Sequence, residues 1–356
     1  MKIIRLTTFL DFGGIESKMA NLSSISDDNE WIFCSIGKGG IAEKKIIQNK
    51  KEVICFNYSF KIPSLITIIK LYIYFKKQKP HVFHSAGSEA NFHGVIAARF
   101  ARVPVIIAEE IGIPSHSRFA KIVFNFIYKF CDFVVGESQS VIDNLKHNYN
   151  INHSKLKVIS NFAIFKNYES DLSLIDNSEF KIVSVSRLEP IKNIEGIIKV
   201  IEKLKQQKYS VKYDIVGNGS SVEVLKELVK TLKLENEIKF IGFQEDTQKY
   251  YSNSDVYILN SFSEGFSNSL LEAMYLKKMC ITTNVGAASE MIQNDINGWI
   301  IPVNDEKELF QRIKKCIEIN SETRKSIEDN AKSMVVNNFS LQNHINKLMQ
   351  LYKTKL

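Results

Sequence analysis

Residues 255–274 read DVYILNSFSEGFSNSLLEAM: an apolar run, a polar turn and a helical pattern. Val256 to Leu259 show no polar alternation, the mark of a strand covered on both faces. Ser267 and Asn268 are N-cap residue types, and Leu270, Leu271, Met274 and Tyr275 recur at helical spacing. The stretch therefore predicts strand, turn and helix, with Glu264 in the turn and Glu272 on the second helical turn. The N–H groups of Phe266 to Ser269 would then be available to an anion. Taken alone, a pair of acids at this spacing is a common chance pattern.

The same unit recurs outward in both directions. Apolar runs stand at 181–186, 212–217, 238–242, 279–283 and 298–303, and earlier at 2–8, 31–36, 52–56, 81–84, 103–109, 132–136 and 157–160. Amphipathic segments such as SVEVLKELVKTLKL (221–234) lie between them. Strands alternating with helices predict an α/β fold with parallel sheets and crossover helices. A chain of 356 residues exceeds one ordinary core. The pattern breaks over the acidic, Asn/Ser-rich stretch 161–180. The expectation is two doubly wound, Rossmann-like domains facing across a cleft. Residues 1–160 form the first, 161–180 the linker and 181–335 the second, with C-terminal helices at 336–356 packing back on the first. Such sheets bind ligands outside their strand C-termini.

Composition narrows the function classes. Hydrophobic residues at 44% and charged residues at 24% are ordinary for a soluble globular chain. Five scattered cysteines with no C-x-x-C fit a reducing cytosol rather than disulfides or zinc. MKIIRLTTFLDFGG reads as a first strand rather than a secretory signal, and no run is long enough to span a bilayer. Lys and Arg outnumber Asp and Glu by 21 to 13 over residues 1–160, and balance at 26 to 26 over 161–356. The whole excess of +8 lies in the first half, which implies an anionic partner there. No nucleic-acid motif accompanies it. Two basic, aromatic segments, 64–79 and 117–130, carry Lys70, Lys76, Lys77, Lys79, Arg118, Lys121 and Lys129. They read either as core helices or as a surface resting on anionic lipid headgroups.

Three further motifs bear on chemistry. In VSVSRLEPIKNIEGII (183–198), Arg187 and Lys192 follow a strand, and a helix opens near Asn193. Two cations beside a helix N-terminus suit a diphosphate. In DIVGNGSSVEVLKEL (214–228), Gly217 and Gly219 form a turn where backbone can approach a ligand. The spacing is not G-x-G-x-x-G, so a dehydrogenase reading is weak. In FLDFGGIES (9–17), Gly13 and Gly14 separate the first strand from a helix. The two glycine motifs are also explained by ordinary tight turns, and the two cations by surface charge on a loop.

Their order is more specific than any one of them. Gly-Gly after the first strand, S-R-L-x-x-x-K-N, V-G-x-G, E-G-F-x-N-x-x-L-E-A-M and V-G-A-x-x-E together resemble the family 4 retaining glycosyltransferases of GT-B fold. The resemblance implies Arg187 and Lys192 on the donor diphosphate, Glu264 on the transferred sugar and Glu272 on the ribose hydroxyls. Gly265, Phe266 and Ser267 would add donor contacts, and Gly14 would approach phosphate and acceptor. Val216 and Gly217 to Gly219 would line the nucleotide, and Glu290 matches the acid of the family's G-G-x-x-E. The acceptor side departs from the family. Glu109 and Glu110 stand where a His is frequent, leaving Glu110 a catalytic candidate and Glu109 an acceptor-side one. His84 matches a family His, but its partner position is Ala86; His93 and His116 are further acceptor-side candidates. N-F-A at 161–163 replaces the usual N-G.

The resemblance implies a nucleotide-sugar donor, UDP-linked by family frequency, and a lipid-linked glycan acceptor held by the N-terminal domain. It also implies a role in bacterial capsule, O-antigen or other surface polysaccharide synthesis, with no cofactor beyond the donor. With the basic first half, it places the enzyme at the cytoplasmic face of the inner membrane. No D-x-D motif occurs, so no metal is expected. Two other readings stay open: a sugar-nucleotide epimerase of the same shape, and a non-catalytic nucleotide- or polyanion-binding protein.

Overall fold

The computed structural model describes residues 1–11, 13–114, 116–164 and 179–356. Most of the expected linker, 165–178, lies outside them. The chain divides into two compact units, Met1–Ile164 with Leu341–Leu356, and Phe165–Ser340.

Unit 1 contains strands β1 (Lys2–Thr7), β2 (Glu30–Ser35), β3 (Glu52–Cys55), β4 (Val82–Ala86), β5 (Val105–Glu110), β6 (Phe133–Gly136) and β7 (Leu156–Val158). They pair in parallel in the order β3-β2-β1-β4-β5-β6-β7. Helices α1 (Gly14–Leu22), α2 (Ile41–Gln48), α3 (Leu65–Gln78), α4 (Ser88–Ala101), α5 (Arg118–Lys129) and α6 (Gln139–Asn148) cover its faces. Period-two alternation divides the central strands between two cores. Ile4, Leu6, Ile32 and Cys34 pack with α3 to α6, while Ile3, Trp31 and Phe33 pack with α1 and α2. Each fully buried aliphatic or aromatic side chain contributes about 1.5–3 kcal/mol, so a strand buried on both faces is held from both sides.

Unit 2 repeats the plan with β8 (Phe180–Val185), β9 (Val211–Val216), β10 (Ile238–Gly242), β11 (Val256–Leu259), β12 (Met279–Thr283) and β13 (Trp299–Ile301). The order is β10-β9-β8-β11-β12-β13, again parallel. Its helices are α7 (Ile194–Gln206), α8 (Val222–Thr231), α9 (Gln248–Ser252), α10 (Asn268–Tyr275), α11 (Ala288–Met291), α12 (Glu306–Glu318) and α13 (Ser321–Asn338). The strand order reverses between β8 and β11, the switch point at which open α/β sheets hold ligands. The last helix, α14 (Leu341–Lys353), returns to unit 1. Its Ile345, Leu348 and Tyr352 share the core of Trp31 and Phe33. Among the described residues no helix is long and apolar enough to cross a membrane.

Candidate active site

The switch point of unit 2 gathers the donor-side candidates. After β8 the chain makes a 3-10 turn over Pro190–Lys192, and Asn193 adopts φ 46° and caps α7 by accepting from Gly196 N at 3.2 Å. Asn tolerates this left-handed conformation better than most residues. The neighbouring β11 loop is tied to the turn twice. Phe262 N donates to Ile191 O at 2.8 Å, and Asn260 Nδ2 to Asn193 O at 3.2 Å. This pairing sets Lys192 Nζ 2.6 Å from Glu264 Oε1, and Ser261 Oγ donates to that same oxygen at 2.6 Å. The two side chains keep 15% and 11% of their surface, so the ion pair is shielded yet still open to a ligand. Arg187 is exposed in the same loop.

Glu264 is followed by a loop pinned from below. Ala287 N donates to Gly265 O at 3.0 Å. Gly286 has φ 55°, and a Cβ there would stand 2.5 Å from that carbonyl. Phe266 lies edge-on to Phe339 at 5.8 Å. Ser267 caps α10, its Oγ accepting from Leu270 N at 3.2 Å, as its residue type predicts. One turn on, Glu272 accepts from Tyr251 OH at 3.1 Å, and burial raises its pKa. Glu290 lies half-buried on α11. Sequence reading missed Ser261 and Tyr251. Ser261 stands three positions before Glu264, a spacing that could have flagged it, whereas nothing near Tyr251 announces its partner.

The Gly-x-Gly turn has a structural cause. A Cβ at Gly217, φ 137°, would meet Ser186 O at 1.8 Å, and one at Gly219 would meet Leu188 O at 2.4 Å. Leu188 N donates to Asn218 O and Leu188 O accepts from Ser221 N, both at 2.9 Å. Both glycines are thus required by the backbone of the β8 loop, whatever else they approach. Gly14 differs: it opens α1, and nothing lies within 4 Å of where its Cβ would be.

The acceptor-side candidates of unit 1, and Glu110 among the catalytic ones, need correcting, because most are sealed. His84 and His93 are fully buried, Glu109 is 1% exposed and Glu110 3%. Glu109 accepts from Arg5 Nη2 at 2.9 Å and Lys18 Nζ at 2.5 Å. Burial alone would raise its pKa, but Lys18, His84 and Arg5 hold it well below the usual range. His84 Nδ1 faces Arg5 Nη1 at 2.5 Å and Tyr352 OH at 2.8 Å. Burial, with Arg5 beside it, pushes His84 down to about 3, so the ring is neutral at ordinary pH. Glu110 points to the other face of β5, where Asn91 Nδ2 and Tyr128 OH each donate to its Oε1 at 2.7 Å. Among the described residues no cation pairs with it, and burial pushes it up to about 7. His93 Nδ1 donates to Glu89 O at 2.8 Å. Only His116 is half-buried; it stacks on Phe124 at 4.2 Å and bonds Tyr149 OH at 2.7 Å. Four of these five groups therefore lack the open face that substrate contact needs.

Both units are doubly wound, and the switch point of unit 2 holds a Lys–Glu pair beside an N-capped helix. Residues 29–163 match the family model Glycosyltransferase Family 4, and residues 167–334 match Glycosyl transferases group 1. The chain belongs to this glycosyltransferase family and has its GT-B fold. It is similar to the capsular polysaccharide biosynthesis glycosyltransferase CapM of Staphylococcus aureus, with 26% identity covering 87% of this chain and 85% of CapM. A second relative is the UDP-Gal:alpha-D-GlcNAc-diphosphoundecaprenol alpha-1,3-galactosyltransferase of Escherichia coli, 26% identical over 84% of this chain and 81% of that one. Among solved structures, a glycosyltransferase from Rickettsia africae superposes with a TM-score of 0.85 at 24% identity, covering 99% and 98% of the two chains. Anabaena HepE, in complex with UDP-glucose, gives 0.85 at 21% identity, covering 99% of this chain and all of HepE.

Proposed function

We propose that the protein moves a hexose or N-acetylhexosamine from a UDP-sugar to a lipid-linked glycan, with retention of configuration and without a metal. The pathway class is bacterial surface polysaccharide, of capsule or O-antigen type, built at the cytoplasmic face of the inner membrane. The names of CapM and of the diphosphoundecaprenol galactosyltransferase support this class, and the HepE complex supports UDP. The observation that carries the reading is the Lys192–Glu264 pair at 2.6 Å, at the carboxyl ends of β8 and β11.

Arg187 and Lys192 bind the diphosphate and stabilise the charge that grows as it departs. A diphosphate that reaches Lys192 shares it with Glu264, leaving the second carboxylate oxygen of Glu264 for a sugar hydroxyl. Negative charge there also favours oxocarbenium character at the anomeric carbon. The anomeric C–O bond to phosphate breaks while the acceptor oxygen bonds the same face, and its proton passes to the departing phosphate. Glu272 takes the ribose hydroxyls, with Gly265, Phe266 and Ser267 beside the donor and Gly14 and His116 toward the acceptor. The test is a panel of UDP- and GDP-sugars scored for thermal stabilisation and slow hydrolysis. Stabilisation by a UDP-sugar, lost in Lys192→Ala, is expected. Stabilisation by none of them would sink the reading.

A further inference from the structure

Helices α3 and α5 are amphipathic in an unusual sense. Each buries one apolar stripe and exposes another. Leu71 and Phe75 of α3, and Phe124 and Ile127 of α5, enter the same core on one face of the sheet. On the outer side of α3, Leu65, Ile66, Ile69 and Ile73 are 72%, 68%, 57% and 59% exposed. On α5, Phe119, Ile122 and Phe126 are 77%, 69% and 57% exposed. Single exposed apolar residues need no explanation, but stripes repeating at i, i+3 and i+7 do.

Charge says what covers them. Neither LITIIKLYIYFKKQ nor RFAKIVFNFIYK contains an Asp or Glu. Lys70, Lys76 and Lys77 accompany the first stripe, and Arg118, Lys121 and Lys129 the second. Arg118 even occupies the first position of α5, where the helix dipole favours an acid. A local rule broken without local compensation points to function rather than folding. Apolar side chains flanked by long cations and no acid suit a surface that is oily beneath and anionic above.

We infer that the outer stripes of α3 and α5 are the membrane-seating surface of unit 1, entering the headgroup region of an anionic bilayer. Ile66, Ile69 and Ile73 enter with Phe119, Ile122 and Phe126, while the lysines and arginines hold phosphate headgroups. The inference deepens the proposed function and rests on it, since a lipid-linked acceptor requires an enzyme seated at its membrane. Neither stripe belongs to the donor site, so seating and nucleotide binding are separately measurable.

The full chain is mixed with phosphatidylcholine vesicles, either pure or containing about a third phosphatidylglycerol, and co-flotation is measured without donor or acceptor. It should float with the anionic vesicles and only weakly with neutral ones, and salt should release it. The triple variant Ile66→Ser/Ile69→Ser/Ile73→Ser should lose binding roughly tenfold. Lys70→Glu/Lys76→Glu/Lys77→Glu should bind less and lose most of its salt sensitivity. Both variants should keep the parent's thermal response to UDP. A parent that stays behind in every gradient overturns the inference, as do both variants floating like the parent. A concentration-dependent dimer of the parent that dissolves in the isoleucine variant, without vesicle binding, also overturns it, by showing that a second copy covers the stripe. Nucleotide-sugar stabilisation without flotation defeats this inference alone; flotation without stabilisation defeats the proposed function alone.

Discussion

In unit 1, Glu109 and Glu110 end β5; in unit 2, Glu264 and Glu272 bracket the start of α10. All four are carboxylates near strand or helix ends, and their surroundings divide them. Glu109 meets two buried cations and Glu110 two neutral donors. Glu272 meets a buried tyrosine, while Glu264 meets one cation at a partly open surface. A strand-end acid is therefore not a site by position. What distinguishes Glu264 is a partner that a ligand can compete for.

That contrast is breakable. The largest effect belongs to Glu109→Gln, which leaves Arg5 and Lys18 buried without a counter-charge. Urea unfolding should show a loss of about 3–5 kcal/mol. A loss near zero would mean that the cluster is not sealed. Glu264→Ala should instead leave stability nearly unchanged and slow sugar transfer roughly a hundredfold or more. Unimpaired turnover in that variant would remove Glu264 from the reaction.

Glu110→Gln probes the sealed side by pH. Its carboxyl sits at about 7 in the fold against an ordinary value of 4.5. Below 4.5 both states are protonated and the group costs nothing. As pH rises from 4.5 to 7 the unfolded chain ionises and the fold does not, so stability is lost across that window. Gln keeps an oxygen for Asn91 and Tyr128 without ionising. The variant should match the parent at pH 4 and gain on the order of 1–3 kcal/mol at pH 8, read as the difference between two stability profiles. A variant less stable than the parent at pH 8 would contradict this. Smallest is Glu272→Ala, expected to weaken UDP binding about tenfold by calorimetry, the scale of one hydrogen-bonded charged contact. Equal effects of Glu264→Ala and Glu272→Ala on binding would erase their division of roles.

The strands and the loop around Glu264 were legible because their signals are local. DVYILN, KIVSVS and the Ser267 cap each declare themselves within a few residues, and β11, β8 and α10 follow. The short α9 and α11 have too few turns to show a period. The Arg5–His84–Glu109–Tyr352 cluster was illegible for a different reason. Arg5 reaches partners 79, 104 and 347 positions away, and no window of sequence contains them. Sequence position alone thus cannot separate Glu109 and His84, which tertiary pairing claims, from acids and histidines left open to a ligand.

The return of α14 to unit 1 bears on the order of synthesis. Tyr352 accepts a hydrogen bond from Arg5, and Ile345 and Leu348 close the core around Trp31, yet the ribosome makes them after every residue of unit 2. The half that is made first must therefore wait, with a charged interior and an open apolar face, until the half made second has emerged. Unit 2 draws on no such late segment, so nascent chains would complete unit 2 before unit 1.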